Sequence, residues 1–304
     1  MNQTRPGPGL TIGIPTYGRW AGESPRRLFD VVRAAEDHGA TRISVTDHVL
    51  MGRDTDDYPF GAFPVPPTAP WLEPLTFLSG AAAVTSTIRL ETRVLIVPLR
   101  PAAFLAKAVA TVDQLSEGRV DLGVGTGWLR DEFAAQGLDV DRRGDLLTDA
   151  LGACRELWTT SPSSFKSDSV NFDEVFSHPQ PFQERLPVWI GGNVQSRSID
   201  RMRHLGDGWI PPAGSTPESV GSGVDRLASE LDGLPEGFTV QVSLSPGSSD
   251  PADRSIPAIL DQVDAFTEVG VTDVVVDLGV VGDGPDDAER CIKELTRRFE
   301  DACV

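Results

Sequence analysis

Strand-like apolar segments alternate with helix-like segments along nearly all of the 304 residues, and this alternation restricts the possible fold more than any other feature. The predicted strands cover residues 11–15, 42–46, 88–97, 119–124, 187–191, 209–210, 238–244 and 273–278. The predicted helices cover residues 24–39, 74–84, 102–115, 146–158, 196–204, 218–231, 256–269 and 286–299. Alternation of this kind is typical of parallel β/α units, and eight units close a barrel. We therefore predict an α/β fold, a (β/α)8 TIM barrel in a single domain over residues 1–304, with an open doubly wound sheet as the alternative.

Two segments interrupt the alternation and are predicted to be insertions into the barrel. Residues 51–71, after the second strand, are rich in Asp, aromatic residues and Pro, with too much Pro for a helix. We expect this segment either to close over a ligand as a lid or to pack over the barrel mouth for stability alone. Residues 161–183, before the fifth strand, alternate apolar and polar side chains, which predicts a small hairpin.

The chain is strongly acidic, and this charge excludes some classes of partner. Its formal net charge is −18 and its isoelectric point is near 4.5. Nucleic acids and anionic membranes are bound by clustered Lys and Arg, so we expect neither as a partner. The first ten residues lack an apolar core of signal-peptide length, and the longest apolar run, residues 94–99, is too short to cross a bilayer. We expect a cytoplasmic protein that acts on a small-molecule substrate.

The cysteines and histidines do not form a metal-binding pattern. Cys154, Cys291 and Cys303 are far apart in the sequence and show no C-x-x-C spacing. The four histidines are equally scattered, so no metal site is expected.

The second predicted strand ends in an acid and an imidazole, Asp47 and His48. Functional groups of a (β/α)8 barrel gather at the carboxyl ends of its strands. Since histidine transfers protons near neutral pH, His48 is a candidate for proton transfer, with Asp47 orienting or polarising a ligand. The alternative is structural: Asp47 caps the turn and His48 only packs.

Glycines end the fourth predicted strand. Gly123, Gly125 and Gly127 remove side chains where the chain leaves this strand, so we expect a bulky ligand against bare backbone there. The run does not match a dinucleotide fingerprint, because Arg130 stands where the third glycine of that motif belongs.

Glycines also end the fifth predicted strand. Gly191, Gly192 and Asn193 precede a helix, and free N–H groups in such a turn are candidates for binding a phosphate. In so acidic a chain an anionic ligand needs local cations, for which the candidates are Arg19, Arg93, Arg130 and Arg197.

Arg93 is unusual in the otherwise apolar second half of the third strand. Burying an unpaired charge is costly. We therefore expect Arg93 either to face the barrel mouth, which we favour, or to meet a carboxylate such as Glu91 or Asp47.

These strand ends, in this order, resemble the bacterial luciferase-like superfamily and, within it, the oxidoreductases that depend on the deazaflavin coenzyme F420. The resemblance extends from Ile12 to Trp209, and its matching segments are residues 46–48, 90–95, 113–120, 123–128, 131–133 and 187–192. Its most specific part is the Gln-Leu-Ser-Glu-Gly-Arg stretch that leads into the fourth strand.

The resemblance implies a TIM barrel that forms homodimers and holds an isoalloxazine-like ring in the barrel mouth. It also implies a non-proline cis peptide bond between Arg93 and Val94. The implied catalytic residues are Asp47 and His48. The implied cofactor-binding residues are Asp47, His48, Thr92, Arg93, Val94, Gly125, Thr126, Gly127, Trp128, Gly191, Gly192 and Asn193.

The implied activity is hydride transfer between coenzyme F420 and a small organic substrate such as an activated alkene, imine, carbonyl or alcohol. In the sugar-phosphate dehydrogenases of the superfamily a glutamate follows Gly-Thr-Gly, but here Trp128 follows it. We therefore expect a substrate with an apolar or aromatic face instead of a sugar phosphate. The alternatives are an FMN-dependent monooxygenase that uses oxygen and a non-catalytic barrel that stores or senses the cofactor.

Overall fold

Eight parallel strands close into a barrel in the part of the chain that the structure, a computed structural model, describes: residues 8–22, 24–59, 61–246 and 254–302. The barrel strands are β1 (Gly9–Gly13), β2 (Arg42–Val45), β3 (Arg89–Ile96), β4 (Val120–Gly125), β7 (Val188–Gly191), β8 (Gly208–Ile210), β9 (Thr239–Ser243) and β10 (Asp273–Asp277). They follow one another around the barrel in chain order, and β10 pairs with β1 to close it. A separate antiparallel pair consists of β5 (Ser163–Lys166) and β6 (Asn171–Val175).

Helices follow the barrel strands. They are α1 (Gly18–Gly22), α2 (Leu28–Asp37), α3 (Pro74–Val84), α4 (Ala102–Leu115), α5 (Arg130–Ala135), α6 (Arg143–Thr159), α7 (Ser196–Leu205), α8 (Pro217–Glu230), α9 (Ile256–Leu260), α10 (Val263–Glu268), α11 (Leu278–Val281) and α12 (Ala288–Ala302). No helix in the described ranges has both the length and the apolarity that crossing a membrane requires.

The predicted (β/α)8 barrel is confirmed, and the open sheet is wrong because β1 pairs with both β2 and β10. The predicted helix over residues 256–269 is wrong as a single element, since it divides into α9 and α10. At the division the N–H of Gln262 bonds to the carbonyl of Ile259, three residues back, and its side-chain amide donates to the carbonyl of Ser245 at 2.9 Å. A bond that spans three residues instead of four interrupts the α-helical pattern.

Both predicted insertions are present. The hairpin of β5 and β6 lies within residues 161–183, before the fifth barrel strand. The insertion between β2 and α3 is anchored at its far end to the segment after β1: Leu72 donates its N–H to the carbonyl of Thr16, and Gly18 donates to Pro70, both at 2.9 Å. The insertion is therefore fixed to the rim of the barrel at this end.

Polar side chains bond across the inside of the barrel. Arg42 on β2 donates to Asp121 on β4 at 2.7 Å and to Asp273 on β10. Neither β4 nor β10 is a neighbour of β2, so these bonds cross the barrel interior. Arg42 also lies over the ring of Trp189, 4.6 Å from its centroid. All three charged side chains are buried, so Asp273 depends on Arg42, and Asp121 on Arg42 and Arg89, to offset the cost of leaving water.

Replacing Arg42 with Met removes the cation that Asp121 and Asp273 share, so we expect the free energy of unfolding to fall by about 3–5 kcal/mol. Urea denaturation followed by circular dichroism measures this loss. Arg33→Met is the matched control, because Arg33 pairs with Asp30 on the exposed face of α2, and we expect a loss of about 0.5 kcal/mol or less. Equal losses in the two variants would show that the ion pairs of Arg42 across the barrel add no more stability than an exposed ion pair.

Candidate active site

A cavity of about 950 Å³ lies at the carboxyl ends of the barrel strands. Eleven of the twelve residues predicted to bind a cofactor line it: Asp47, His48, Arg93, Val94, Gly125, Thr126, Gly127, Trp128, Gly191, Gly192 and Asn193. Residues from the ends of β2, β3, β4 and β7 thus meet in one space. Within the described ranges, no group of three or more His, Cys, Asp or Glu side chains is arranged to hold a metal ion.

Thr92 is the predicted residue that does not line the cavity. Its side chain is fully buried, and its hydroxyl donates to the carbonyl of Gly123 at 2.8 Å. Thr92 therefore joins β3 to β4, and its side chain offers a ligand no exposed surface, unlike the other predicted residues.

The glycines of β4 make room for a bulge in β3. The register between the two strands shifts after Thr92, and the peptide bond between Arg93 and Val94 is cis, as the family resemblance implies. A Cβ atom on Gly123 would lie 2.2 Å from the carbonyl oxygen of Thr92, and one on Gly125 would lie 2.6 Å from Cγ2 of Val94. The space expected to receive a ligand is therefore filled by β3 itself. Val94, in front of these glycines, forms the wall of the cavity.

The end of β7 is open to the cavity but does not offer all of its predicted N–H donors. Gly192 has φ of +118°, a conformation that favours glycine, and an added Cβ atom there would meet no atom within 4 Å. Its N–H, however, donates to the carbonyl of Ile210 at 3.0 Å, and its carbonyl accepts from Trp209. The predicted phosphate donor at Gly192 is thus already bonded, and an anion at this end needs other partners.

Such partners are present as a group of cavity-lining arginines that we call the arginine cluster: Arg130, Arg143, Arg197 and Arg201. Two members form partly screened ion pairs, with Asp141 at 3.8 Å and Asp145 at 3.3 Å. The other two donate to the main-chain carbonyls of Val140 and Gly144, and no carboxylate of the described residues lies within hydrogen-bond distance of either guanidinium. Burial lowers the pKa of Arg201, and the nearby Arg197 lowers it further. The cluster is therefore suited to an anion.

The cluster differs in part from the cations predicted for this purpose. Arg130 and Arg197 line the cavity, as does Arg93, whereas Arg19 is not among the lining residues. Arg143 and Arg201 are absent from the predicted set. They lie on α6 and α7, and only the three-dimensional packing of those helices brings them to the cavity.

His48 is held by a buried acid, Glu132 on α5. Nδ1 of His48 lies 3.2 Å from Oε2 of Glu132, whose Oε1 accepts the N–H groups of Val49 and Leu50 at 2.7 and 3.4 Å. The Glu132 side chain is completely buried. Because a carboxylate only accepts hydrogen bonds, Nδ1 carries the proton in this arrangement. Nε2 is then the nitrogen that can exchange a proton with a ligand.

Both carboxylate oxygens of Asp47 are already bonded. Oδ2 accepts from the N–H of Ile96 at 2.8 Å and from Arg100 at 2.6 Å, and Oδ1 accepts from Arg100 at 3.0 Å. Arg100 also donates to Glu73 at 2.9 Å. Burial acts to lower the pKa of Arg100, but Asp47 and Glu73 outweigh it and raise that pKa. Asp47 thus stabilises the turn after β2, which is the structural role considered for it as an alternative. Its side chain also lines the cavity.

Aromatic side chains form what we call the aromatic chamber around His48: Tyr17, Tyr58, Phe63, Trp71 and Trp128. Trp71 and Trp128 are edge-on to the imidazole, with ring centroids 4.8 and 5.9 Å away. Tyr17 stacks on Trp71 with centroids 4.3 Å apart. Burial raises the pKa of Tyr17, so its hydroxyl stays neutral. Three of the five rings belong to the insertion after β2, which therefore forms part of the cavity wall.

Glu132 and Tyr17 are absent from the set of residues predicted to act in the site. Glu132 lies in the first turn of the helix after the glycine-rich β4, and an acid at that place in a barrel mouth is a signal in the sequence. Tyr17 lies just beyond the end of β1, another strand end that faces the mouth.

The chain matches the family model described as luciferase-like monooxygenase over residues 5–265. Because this match covers most of its length, the protein belongs to the luciferase-like family. The closed eight-stranded barrel agrees with that membership.

Two relatives share similar sequences. An uncharacterized protein of Mycobacterium tuberculosis is 30% identical over 285 residues, which are 90% of this chain and 93% of the relative. An F420-dependent glucose-6-phosphate dehydrogenase of Segniliparus rotundus is 29% identical over 238 residues, which are 73% of this chain and 66% of that enzyme.

Two solved structures share the fold. The monooxygenase RslO1 from Streptomyces bottropensis superposes with a TM-score of 0.75 at 18% identity, over 97% of this chain and 100% of that chain. An F420-dependent secondary alcohol dehydrogenase in complex with an F420-acetone adduct superposes with a TM-score of 0.74 at 15% identity, over 96% and 99% of the two chains. At these identities the likeness is one of fold.

Proposed function

We propose that this protein transfers a hydride between coenzyme F420 and a small organic substrate. The observation that carries the proposal is a single cavity that joins the arginine cluster to the aromatic chamber around His48. The F420-dependent dehydrogenase of Segniliparus rotundus supports this choice of cofactor. Membership of the luciferase-like family supports redox chemistry in general.

The cavity fits a flat cofactor that carries phosphate. A deazaflavin supplies the capacity to accept or donate a hydride when it is bound. The arginine cluster is suited to its phosphate-bearing chain, and Val94 offers its ring an apolar wall. The net charge of −18 repels anions at a distance, but salt screens such repulsion beyond about 10 Å at 0.1 M. The local cations therefore dominate at the site.

His48 exchanges a proton with the substrate in this proposal. Glu132 holds Nδ1–H, so transfer takes place at Nε2. The edges of Trp71 and Trp128 restrict the rotation of the imidazole. The surrounding rings give this side of the cavity an apolar lining.

We propose a substrate with an apolar or aromatic face in place of a sugar phosphate. The aromatic chamber presents five rings, and the charged lining residue next to Tyr58 is an acid, Asp57. The arginine cluster contacts residues 140–145, and a sugar phosphate would share it with the phosphate of the cofactor. Trp128 occupies the position after Gly-Thr-Gly and closes this side of the chamber.

We also propose that two copies of the chain associate through an exposed apolar patch on α4 and the segment after β6. The patch consists of Phe104, Leu115, Phe176 and Phe182. Lys107 and Gln114 on α4 donate to the carbonyls of His178 and Gln180, so the two elements form one surface. Like charges repel over much of such an acidic molecule, and self-association is most favourable where the surface is apolar.

Fluorescence titration of the purified protein is expected to show tighter binding of F420 than of FMN. Arg201→Met removes a buried cation of the arginine cluster and should weaken F420 binding about tenfold or more. Arg33→Met, on the exposed face of α2, is the control and should leave binding unchanged. Tight binding of FMN with no binding of F420, together with consumption of oxygen, would favour the second candidate, an FMN-dependent monooxygenase, to which the family description points.

Glu132→Gln should reverse the tautomer of His48 and lower kcat by about tenfold to a hundredfold. The amide oxygen can still accept from Val49 and Leu50, so the amide NH2 turns toward Nδ1, which must then accept. The nitrogen-15 chemical shifts of His48 measure which nitrogen carries the proton. Glu36→Gln is the matched control, since that acid also accepts several main-chain N–H groups but lies outside the cavity. An unchanged tautomer and an unchanged kcat in Glu132→Gln would refute the role of Glu132.

Light scattering is expected to give a mass twice the 32.7 kDa of one chain. A Phe104→Asp, Leu115→Asp double variant should shift the protein to the monomer, because it places charge in the apolar patch. Val49→Asp changes another exposed apolar residue, which follows His48, and should leave the mass unchanged. A monomeric wild-type protein would show that the patch does not mediate self-association.

A further inference from the structure

Arg93 presents a guanidinium group to the floor of the cavity. Its Nε donates to Oε1 of Gln241 at 2.8 Å, and the side chain lines the cavity. Among the residues that the structure describes, the ion pairs of the barrel interior engage Arg42 and Arg89, and no ion pair engages Arg93. The terminal nitrogens of Arg93 are therefore placed to receive a ligand.

Gln241 on β9 separates Arg93 from the acids of the barrel interior. Its Nε2 donates to Glu91 at 2.8 Å and to Asp273 at 2.9 Å. These two acceptors fix the orientation of the amide, so its oxygen must face Arg93. Glu91 and Asp273 thus position the guanidinium through Gln241 without forming an ion pair with it.

The charge of Arg93 is only partly compensated by its surroundings. Burial lowers the pKa of the Arg93 guanidinium, while Glu91, Asp273 and Asp277 act in the opposite direction from a distance. Burial also raises the pKa of Glu91 to about 8, so this acid contributes little negative charge at neutral pH. One carboxyl oxygen of Glu91 has no hydrogen-bond partner. An oxygen of a ligand that carries negative charge would supply the missing compensation.

We propose that Arg93 binds a ligand oxygen on which negative charge increases during hydride transfer. This inference rests on the proposed function. A hydride consists of one proton and two electrons, so breaking the donor C–H bond and forming the acceptor C–H bond makes the acceptor one charge more negative. A fixed, partly buried guanidinium stabilises such a charge. The oxygen belongs either to a ring carbonyl of the redox carrier or to a carbonyl of the substrate.

The test compares the binding of oxidised and reduced F420 to the wild-type protein and to Arg93→Met. If the oxygen belongs to the carrier, Arg93→Met should weaken binding of the reduced form about tenfold more than binding of the oxidised form. Arg93→Lys keeps the charge but not the planar fork, and should recover part of the difference. It also covers the case in which Arg93→Met does not fold. Arg130→Met, in the arginine cluster, is the matched control and should weaken both forms equally.

A second arm tests the substrate as the source, with benzoate as an anionic probe and cyclohexanone as its neutral counterpart. If the oxygen belongs to the substrate, Arg93→Met should weaken benzoate about tenfold relative to cyclohexanone, with no change in the preference between carrier forms. If Arg93→Met changes binding in neither arm, the inference is wrong. A wild-type protein that binds no F420 would refute the proposed function instead, and the benzoate arm on the free protein would still decide the role of Arg93.

Discussion

The site depends on a steric fit between two neighbouring strands. β3 bulges at Arg93 and Val94, and β4 can lie beside that bulge only because Gly123 and Gly125 have no side chains. Any Cβ atom at Gly123 would overlap the carbonyl oxygen of Thr92, and backbone cannot move aside as a flexible side chain can. The bulge in turn places Val94 on the wall of the cavity and Arg93 on its floor. One packing constraint thus influences both the shape and the charge of the cavity.

The electrostatics of the molecule are arranged on two scales. At long range the chain is an anion, with a formal charge of −18. Within the cavity, cations are supplied by the arginine cluster and by Arg93. Arg143 and Arg201 donate to main-chain carbonyls, and Arg93 donates to a side-chain amide. Buried acids are used differently: Asp47 and Glu132 accept from donors of the protein and hold other groups in place. Asp47 and Glu132 therefore serve as supports, whereas these guanidinium groups line the cavity.

The sequence predicts the barrel well, because each strand and helix carries its own periodic pattern. It predicts less well where an outcome depends on what packs against a segment. The glycines of β4 show that side chains are missing, but only the structure shows that β3 fills the space of Gly123 and Gly125. The N–H of Gly192 looks available in the sequence, yet Ile210 on the adjacent strand accepts it. The position of Glu132 in the first turn after β4 is a weak signal in the sequence, and only the structure shows that it accepts from the turn after β2.

The guanidinium of Arg100 contacts both ends of the insertion that follows β2. Asp47 stands at its beginning, and Glu73 stands at its end, where it also caps α3 by accepting the N–H of Thr76. A loop whose two ends are fastened to the same cation can change in length and composition without moving the strand before it or the helix after it. Substituting the aromatic residues of this loop would therefore change one side of the cavity, while the part built on β4 and β7 would stay as it is.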